Sequence, residues 1–114
     1  YPIIADTDLA VSRSFGMLPA DSTAKQAVRA VFLIDADLKL VASMLYPMTI
    51  GRSFGELLRL VDAFLETGDG KVATPVDWVP GDPAIVRPGV GDAEAVALFP
   101  ELRRTALPYL RYTK

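Results

Sequence analysis

The sequence predicts an α/β (α+β) fold: a small sheet with packed helices, followed by an irregular C-terminal extension. Three observations predict it. Two apolar segments of strand length, Ala27–Asp35 and Leu38–Tyr46, flank the turn signal Asp35-Ala36-Asp37. Ser53-Phe54-Gly55-Glu56 fits a helix capping box and opens a run of apolar residues at helical spacing. After Gly70 the composition shifts, with Pro75, Pro80, Pro83 and Pro88 set among Gly81, Gly89 and Gly91.

Each element has its own warrant. Tyr1-Pro2-Ile3-Ile4-Ala5 reads as a short buried strand. Asp6, Thr7 and Asp8 are N-cap residue types, and Leu9, Val11, Phe15 and Leu18 follow on roughly one helical face. Gly16 and Pro19 close that helix near Leu18. Residues 19–26 are polar and loop-like. The short connection between 27–35 and 38–46 makes these strands an antiparallel hairpin, which Pro47 ends. Phe54, Leu57, Leu58, Val61, Phe64 and Leu65 define a helix over 54–66, stopped at Thr67-Gly68. In the extension, Val76, Trp78, Ile85 and Val86 need burial, so an ordered arm is expected rather than a flexible linker. Asp92 is expected to cap a short helix reaching about Phe99, and Leu110–Thr113 to add a last strand. The order is β-α-β-β-α plus an extension, divided as 1–70 and 71–114.

Composition narrows the function. The 114 residues are 51% apolar and 23% charged, typical of a folded chain. Twelve basic and fourteen acidic residues give a net charge of −2, with no basic block for nucleic acid or an anionic membrane surface. The longest apolar run, Ala30–Ile34, is far short of the roughly 18 residues a membrane span needs. An apolar start at Tyr1, without an initiator methionine, reads as the interior of a longer protein. The chain has no cysteine and no histidine, so by itself it holds no thiol nucleophile, imidazole base or cysteine/histidine metal site.

Few residues remain to carry chemistry. Phosphate-loop motifs are absent, and Gly89-Val90-Gly91 is only their nearest approach. Asp35 and Asp37 flank a turn, which explains them better than a hard-cation site does. Trp78 reads as a packing anchor. Two arginines stand out. Arg29 sits within the apolar segment Ala27-Val28-Arg29-Ala30-Val31-Phe32, where a buried guanidinium is costly unless paired or used. Side-chain alternation puts it with Val31 and Leu33. On the alternative reading the strand starts at Ala30 and Arg29 is exposed at its end. Arg52 precedes the capping-box helix, and a plain surface role fits it as well as an anion-binding one.

Several strings together resemble a known family. Tyr46-Pro47, Thr49 and Gly51-Arg52-Ser53-Phe54-Gly55-Glu56-Leu57-Leu58-Arg59 are similar to the "YPxTxGRNFDEILR" segment of 1-Cys, peroxiredoxin-6-like peroxiredoxins (AhpC/TSA superfamily). Ala73-Thr74-Pro75-Val76-Asp77-Trp78 with Gly81-Asp82 resembles that group's C-terminal signature. Tyr1–Asp6, Phe15–Leu18, Leu98–Pro100 and Tyr109–Thr113 resemble further pieces, in order along nearly the whole chain. Ala27 and Val28 depart from the "TA" of the family's "TARxVF" strand.

The resemblance implies the C-terminal part of a thioredoxin-like fold with the peroxiredoxin extension. It implies part of a thiol-dependent peroxidase that reduces hydrogen peroxide and organic hydroperoxides, with no cofactor. The peroxidatic cysteine would lie on an N-terminal half that this chain lacks, and a homodimer and a cytoplasmic location are expected. Arg29 maps onto the family's pocket arginine and Arg52 onto the arginine of its "GRNF" motif. The alternative function is a stand-alone, catalytically inactive dimerisation or binding module.

Overall fold

Asp35 shapes the turn at the centre of the N-terminal half. Its Oδ1 accepts the backbone N–H groups of Asp37 and Lys39, both at 2.9 Å. The chain reverses there, with Leu38 in the left-handed region at φ 62°. On either side lie β1 (Arg29–Ile34) and β2 (Leu40–Tyr46), paired antiparallel with Arg29 opposite Tyr46 and Val31 opposite Met44. The expected hairpin is present, and the turn consumes one or two residues at each inner end of the predicted strands. The structure, a computed structural model, describes residues 1–18 and 26–114, in two compact units, Tyr1–Arg52 and Ser53–Lys114. The loop expected over 19–26, and with it the Pro19 stop, lies outside the described residues except for Gln26.

The first unit also carries α1 (Ala10–Ser14). Asp6 organises its start: its carboxylate accepts from the N–H groups of Val11 and Ser12 at 2.9 Å each and from Ser12 Oγ at 2.6 Å. These acids satisfy the free N–H groups of a helix start, as their residue types predict. The N-cap position itself falls on Leu9, at φ 59°. Phe15 closes the helix, Gly16 follows at φ 65°, and the Phe15 ring packs at 4.9 Å from the Phe32 ring of β1.

The strand expected at Tyr1–Ala5 does not form. This segment has no ladder partner among the described residues, and Ile3 is 82% exposed. A strand needs a neighbour to satisfy its backbone groups, so apolar sequence alone leaves it extended and unpaired. The expected β-α-β crossover is therefore missing its first strand, while the mixed helix-and-strand class stands.

In the second unit, α2 runs Phe54–Glu66, as its apolar spacing predicts. The Ser53 side chain caps it by accepting the Glu56 N–H at 3.3 Å. The reciprocal half of the capping box is replaced: the Glu56 carboxylate turns to Arg59 and forms a two-pronged ion pair at 2.8 and 2.9 Å. Arg59 in turn donates to the Trp78 carbonyl at 3.2 Å, joining helix to extension.

The extension is more regular than its proline content suggests. β3 (Val72–Ala73), β4 (Ile85–Val86), β5 (Arg103–Arg104) and β6 (Arg111–Tyr112) form an antiparallel sheet in the order β3-β4-β6-β5. Thr113 N–H to the Ala84 carbonyl, 2.9 Å, prolongs the β4–β6 pairing. α3 (Asp92–Leu98) covers a small core of Val86, Val90 and Ala95, with Phe99 and Leu102 packed against it. Trp78 and Val86 are buried and Ile85 is half-buried, as expected. Val76 is not: it sits at the corner of a turn closed by the Trp78 N–H and the Pro75 carbonyl, and it is exposed. Asp92 is the first residue of α3 rather than its cap; that position belongs to Gly91.

Candidate functional site

Arg29 opens β1, so the strand starts one residue earlier than the reading that left this side chain outside it. The residue is half-buried. Its Nη1 donates to the Ile50 carbonyl at 2.9 Å, across the end of the hairpin. Ile50 is itself fixed by its N–H to the Pro47 carbonyl, 3.0 Å, in the turn that leaves β2. A guanidinium has five N–H donors in a rigid plane. Among the described residues only one bond engages this one, and no carboxylate pairs with it. The group is thus oriented by the protein while most of its donors stay available. An arginine held this way suits an oxygen ligand that carries or develops negative charge.

Arg52 lies two residues beyond Ile50 and directly before the Ser53 cap. It is exposed, with no hydrogen bond or ion pair among the described residues. The backbone of 47–52 links the two predicted arginines, since Arg29 grips its middle, but the two guanidinium groups share no contact partner there.

The sequence reading missed a third arginine. Arg111 of β6 is buried, with a side chain only 6% exposed. Its Nη1 donates to Asp92 Oδ1 at 2.8 Å, and its Nη2 donates to the carbonyls of Val90 at 2.7 Å and Arg87 at 3.3 Å. Arg104 binds the other Asp92 oxygen at 3.1 Å. Arg104 and then Arg111 hold the Asp92 carboxyl below the usual carboxylate range. Three of the five donors of Arg111 are spent on protein acceptors and its buried Nε has no partner, so this node ties the β4–α3 loop to β6. The available signal was an arginine inside the short apolar run Tyr109-Leu110-Arg111-Tyr112.

The other shifted groups are structural in the same sense. Ser12 lowers the Asp6 carboxyl through its hydroxyl hydrogen bond, and Arg59 lowers Glu56. Glu94 raises the Lys71 ammonium through a 2.8 Å bond. A recess of about 420 Å³ in the second unit is lined by Glu66, Trp78, Asp82, Phe99 and Glu101. Its three carboxylates outnumber its one ammonium, Lys114, which makes it a poor seat for an anionic oxygen. Asp35, weighed as a cation ligand, spends Oδ1 on the hairpin turn, and no group of three or more acidic residues suited to a metal ion occurs among the described residues. No helix among them is long and apolar enough to cross a membrane.

Comparison with known proteins places these features. Residues 66–101 match the family model described as the C-terminal domain of 1-Cys peroxiredoxin. The chain is 47% identical over 122 residues to peroxiredoxin-6 of Gallus gallus, covering 99% of this chain and 54% of that protein. It is 43% identical to a 1-Cys peroxiredoxin of Dictyostelium discoideum, covering 99% of this chain and 47% of that protein. A crystal structure of a cysteine-to-serine mutant of the peroxiredoxin 6 of Arenicola marina superposes with a TM-score of 0.87 at 47% identity, over 98% of this chain and 55% of that one. The chain spans about half the length of these relatives. The fold is accordingly of the α+β, thioredoxin-like kind, and the chain is similar to 1-Cys peroxiredoxins over about half of their length, with their C-terminal domain matched at residues 66–101.

Proposed function

We propose that this chain supplies the arginine side of a hydroperoxide pocket in a thiol-dependent peroxidase. The observation that carries the reading is Arg29: half-buried, held through one Nη1 bond to Ile50, and otherwise unengaged among the described residues. The chain has no cysteine, so the attacking thiolate comes from the part of a 1-Cys peroxiredoxin that these residues do not span. In such a reaction the thiolate sulfur attacks one peroxide oxygen, the O–O bond breaks, and the second oxygen leaves as water or alcohol. A guanidinium beside the sulfur favours thiolate over thiol. The same cation stabilises the charge that grows on the leaving oxygen. Arg52 is the supporting member, adding positive charge beyond the turn that Arg29 fixes. Hydrogen peroxide and organic hydroperoxides are the substrates.

Residues 71–114 would then serve as the dimer-forming C-terminal domain and 1–70 as the end of the thioredoxin-like domain, in a cytoplasmic homodimer. The zero cysteine count favours the second reading, a stand-alone and inactive dimerisation module. Peroxide turnover separates the two. The 114-residue chain alone, given dithiothreitol, consumes no peroxide on either reading. Joined to the cysteine-bearing portion of a 1-Cys peroxiredoxin, it gains turnover on the first reading only. There, Arg29→Lys lowers kcat/KM by about 100-fold, the scale of losing one aligned oxyanion donor. An Arg29→Lys chimera as active as its parent would remove Arg29 from the pocket.

A further inference from the structure

Met48 sits in the turn that Arg29 grips. The chain has three methionines. Met17 is half-buried. Met44, on β2, is half-buried, and its Sδ accepts the Tyr46 hydroxyl at 3.1 Å. Met48 differs from both in being 48% exposed, and unlike the Met44 sulfur its own has no hydrogen-bond partner among the described residues. It occupies the corner of the turn closed by the Ile50 N–H and the Pro47 carbonyl, 3.0 Å. The carbonyl at the far end of that turn is the one Arg29 holds at 2.9 Å. One short, pinned segment therefore carries a solvent-open thioether and receives the guanidinium assigned to the peroxide.

We propose that Met48 is a modification site, oxidised to the sulfoxide by hydroperoxide in preference to the other two methionines and with the help of Arg29. The chemistry is closed. A thioether lone pair attacks one peroxide oxygen and the O–O bond breaks. Sulfur loses two electrons and gains that oxygen, whose hydroxyl proton passes to the departing oxygen, so that the hydroperoxide leaves as alcohol or water. Exposure and an unengaged lone pair favour Met48. The Arg29 cation lowers the charge cost on the departing oxygen. The product replaces a flexible apolar side chain with a polar oxygen acceptor in the turn that Arg29 holds, and methionine sulfoxide reductases reverse it. The Arg29 part rests on the function proposed above; the preference for Met48 does not.

The test treats the full 114-residue chain with hydrogen peroxide, and separately with cumene hydroperoxide, and follows oxygen uptake at each methionine by peptide mass mapping. Met48 is expected to react at least about tenfold faster than Met17 and Met44. Equal rates at all three, or Met17 or Met44 reacting first, would overturn the site. In Arg29→Lys the Met48 rate is expected to fall several-fold while Met17 and Met44 keep theirs. A Met48 rate that does not change, or that rises along with the other two as the chain loosens, would overturn the assistance by Arg29. Because the readout is mass rather than thiol turnover, a failure here is distinguishable from a failure of the peroxidase reading.

Discussion

Two arginines of this chain illustrate opposite uses of one side chain. Arg111 is enclosed and gives three of its five donors to Asp92 and two backbone carbonyls. Arg29 is half-open and gives one bond to the protein. The first arrangement holds structure; the second leaves capacity for a ligand. Removing Arg111 strands the buried Val90 carbonyl and leaves the Asp92 carboxylate to Arg104 alone, so Arg111→Met should destabilise the chain by about 2 kcal/mol in urea unfolding. A change under about 0.5 kcal/mol, the range of neutral surface substitutions, would contradict the assignment. The carboxylates paired here also set the acid limit. Asp92 and Asp6 have folded pKa values below the ordinary aspartate value of 3.8. Their contribution is complete above that value and is lost as pH falls through the lowered ones. Stability should therefore drop on acidification below about pH 4, and Asp92→Asn should flatten that drop. An acid limb as steep in Asp92→Asn as in the parent would show that its pairing is not coupled to folding. Sequence left Arg29 between strand and strand end because alternation does not say where pairing begins. It missed Arg111 because burial of a charge depends on partners 19 to 24 residues away.

At the scale of elements, the legible pieces were those whose signals are local. Helix α2 was readable to the residue because its cap, apolar spacing and stop all lie within 53–68. Ser53→Ala should cost about 1 kcal/mol in thermal or urea unfolding, and no loss would mean the cap is idle. The hairpin was readable from its two apolar runs, and its turn carries a correctable flaw. Leu38 is 86% exposed and holds φ 62°, a conformation that strains a branched side chain. Leu38→Gly should stabilise the chain by about 1 kcal/mol; a destabilised variant would show that the Leu38 side chain has packing that outweighs its strain. The four-stranded sheet of the extension was not legible beyond its last strand. Strands of two residues have no periodicity, and β3, β4 and β5 are defined only by neighbours distant in sequence. The expected strand at Tyr1–Ala5 failed for the mirror-image reason: apolar composition was present and a ladder partner was not.

For the whole molecule, the apolar surface is the outstanding quantity. Ile3, Leu38, Phe54, Leu58 and Leu65 are all well exposed, while the buried apolar residues are mostly alanine and valine. Both strands of the hairpin end their two-stranded sheet, leaving unpaired backbone groups at its edges. Such edges and patches drive association. The isolated chain should be non-monomeric at micromolar concentration by small-angle scattering, and a monomeric profile would contradict this. The chain spans about half the length of each of these relatives. The central proposal is that Arg29 serves a peroxide bound beside a sulfur that this chain does not contain. Its most direct test is peroxide consumption by the chain fused to the cysteine-bearing portion of a 1-Cys peroxiredoxin, compared between the parent and Arg29→Lys. Turnover is expected in the parent fusion, with a loss of about 100-fold in kcat/KM in the variant. A fusion that folds and stays inert, or a variant that matches its parent, would contradict it.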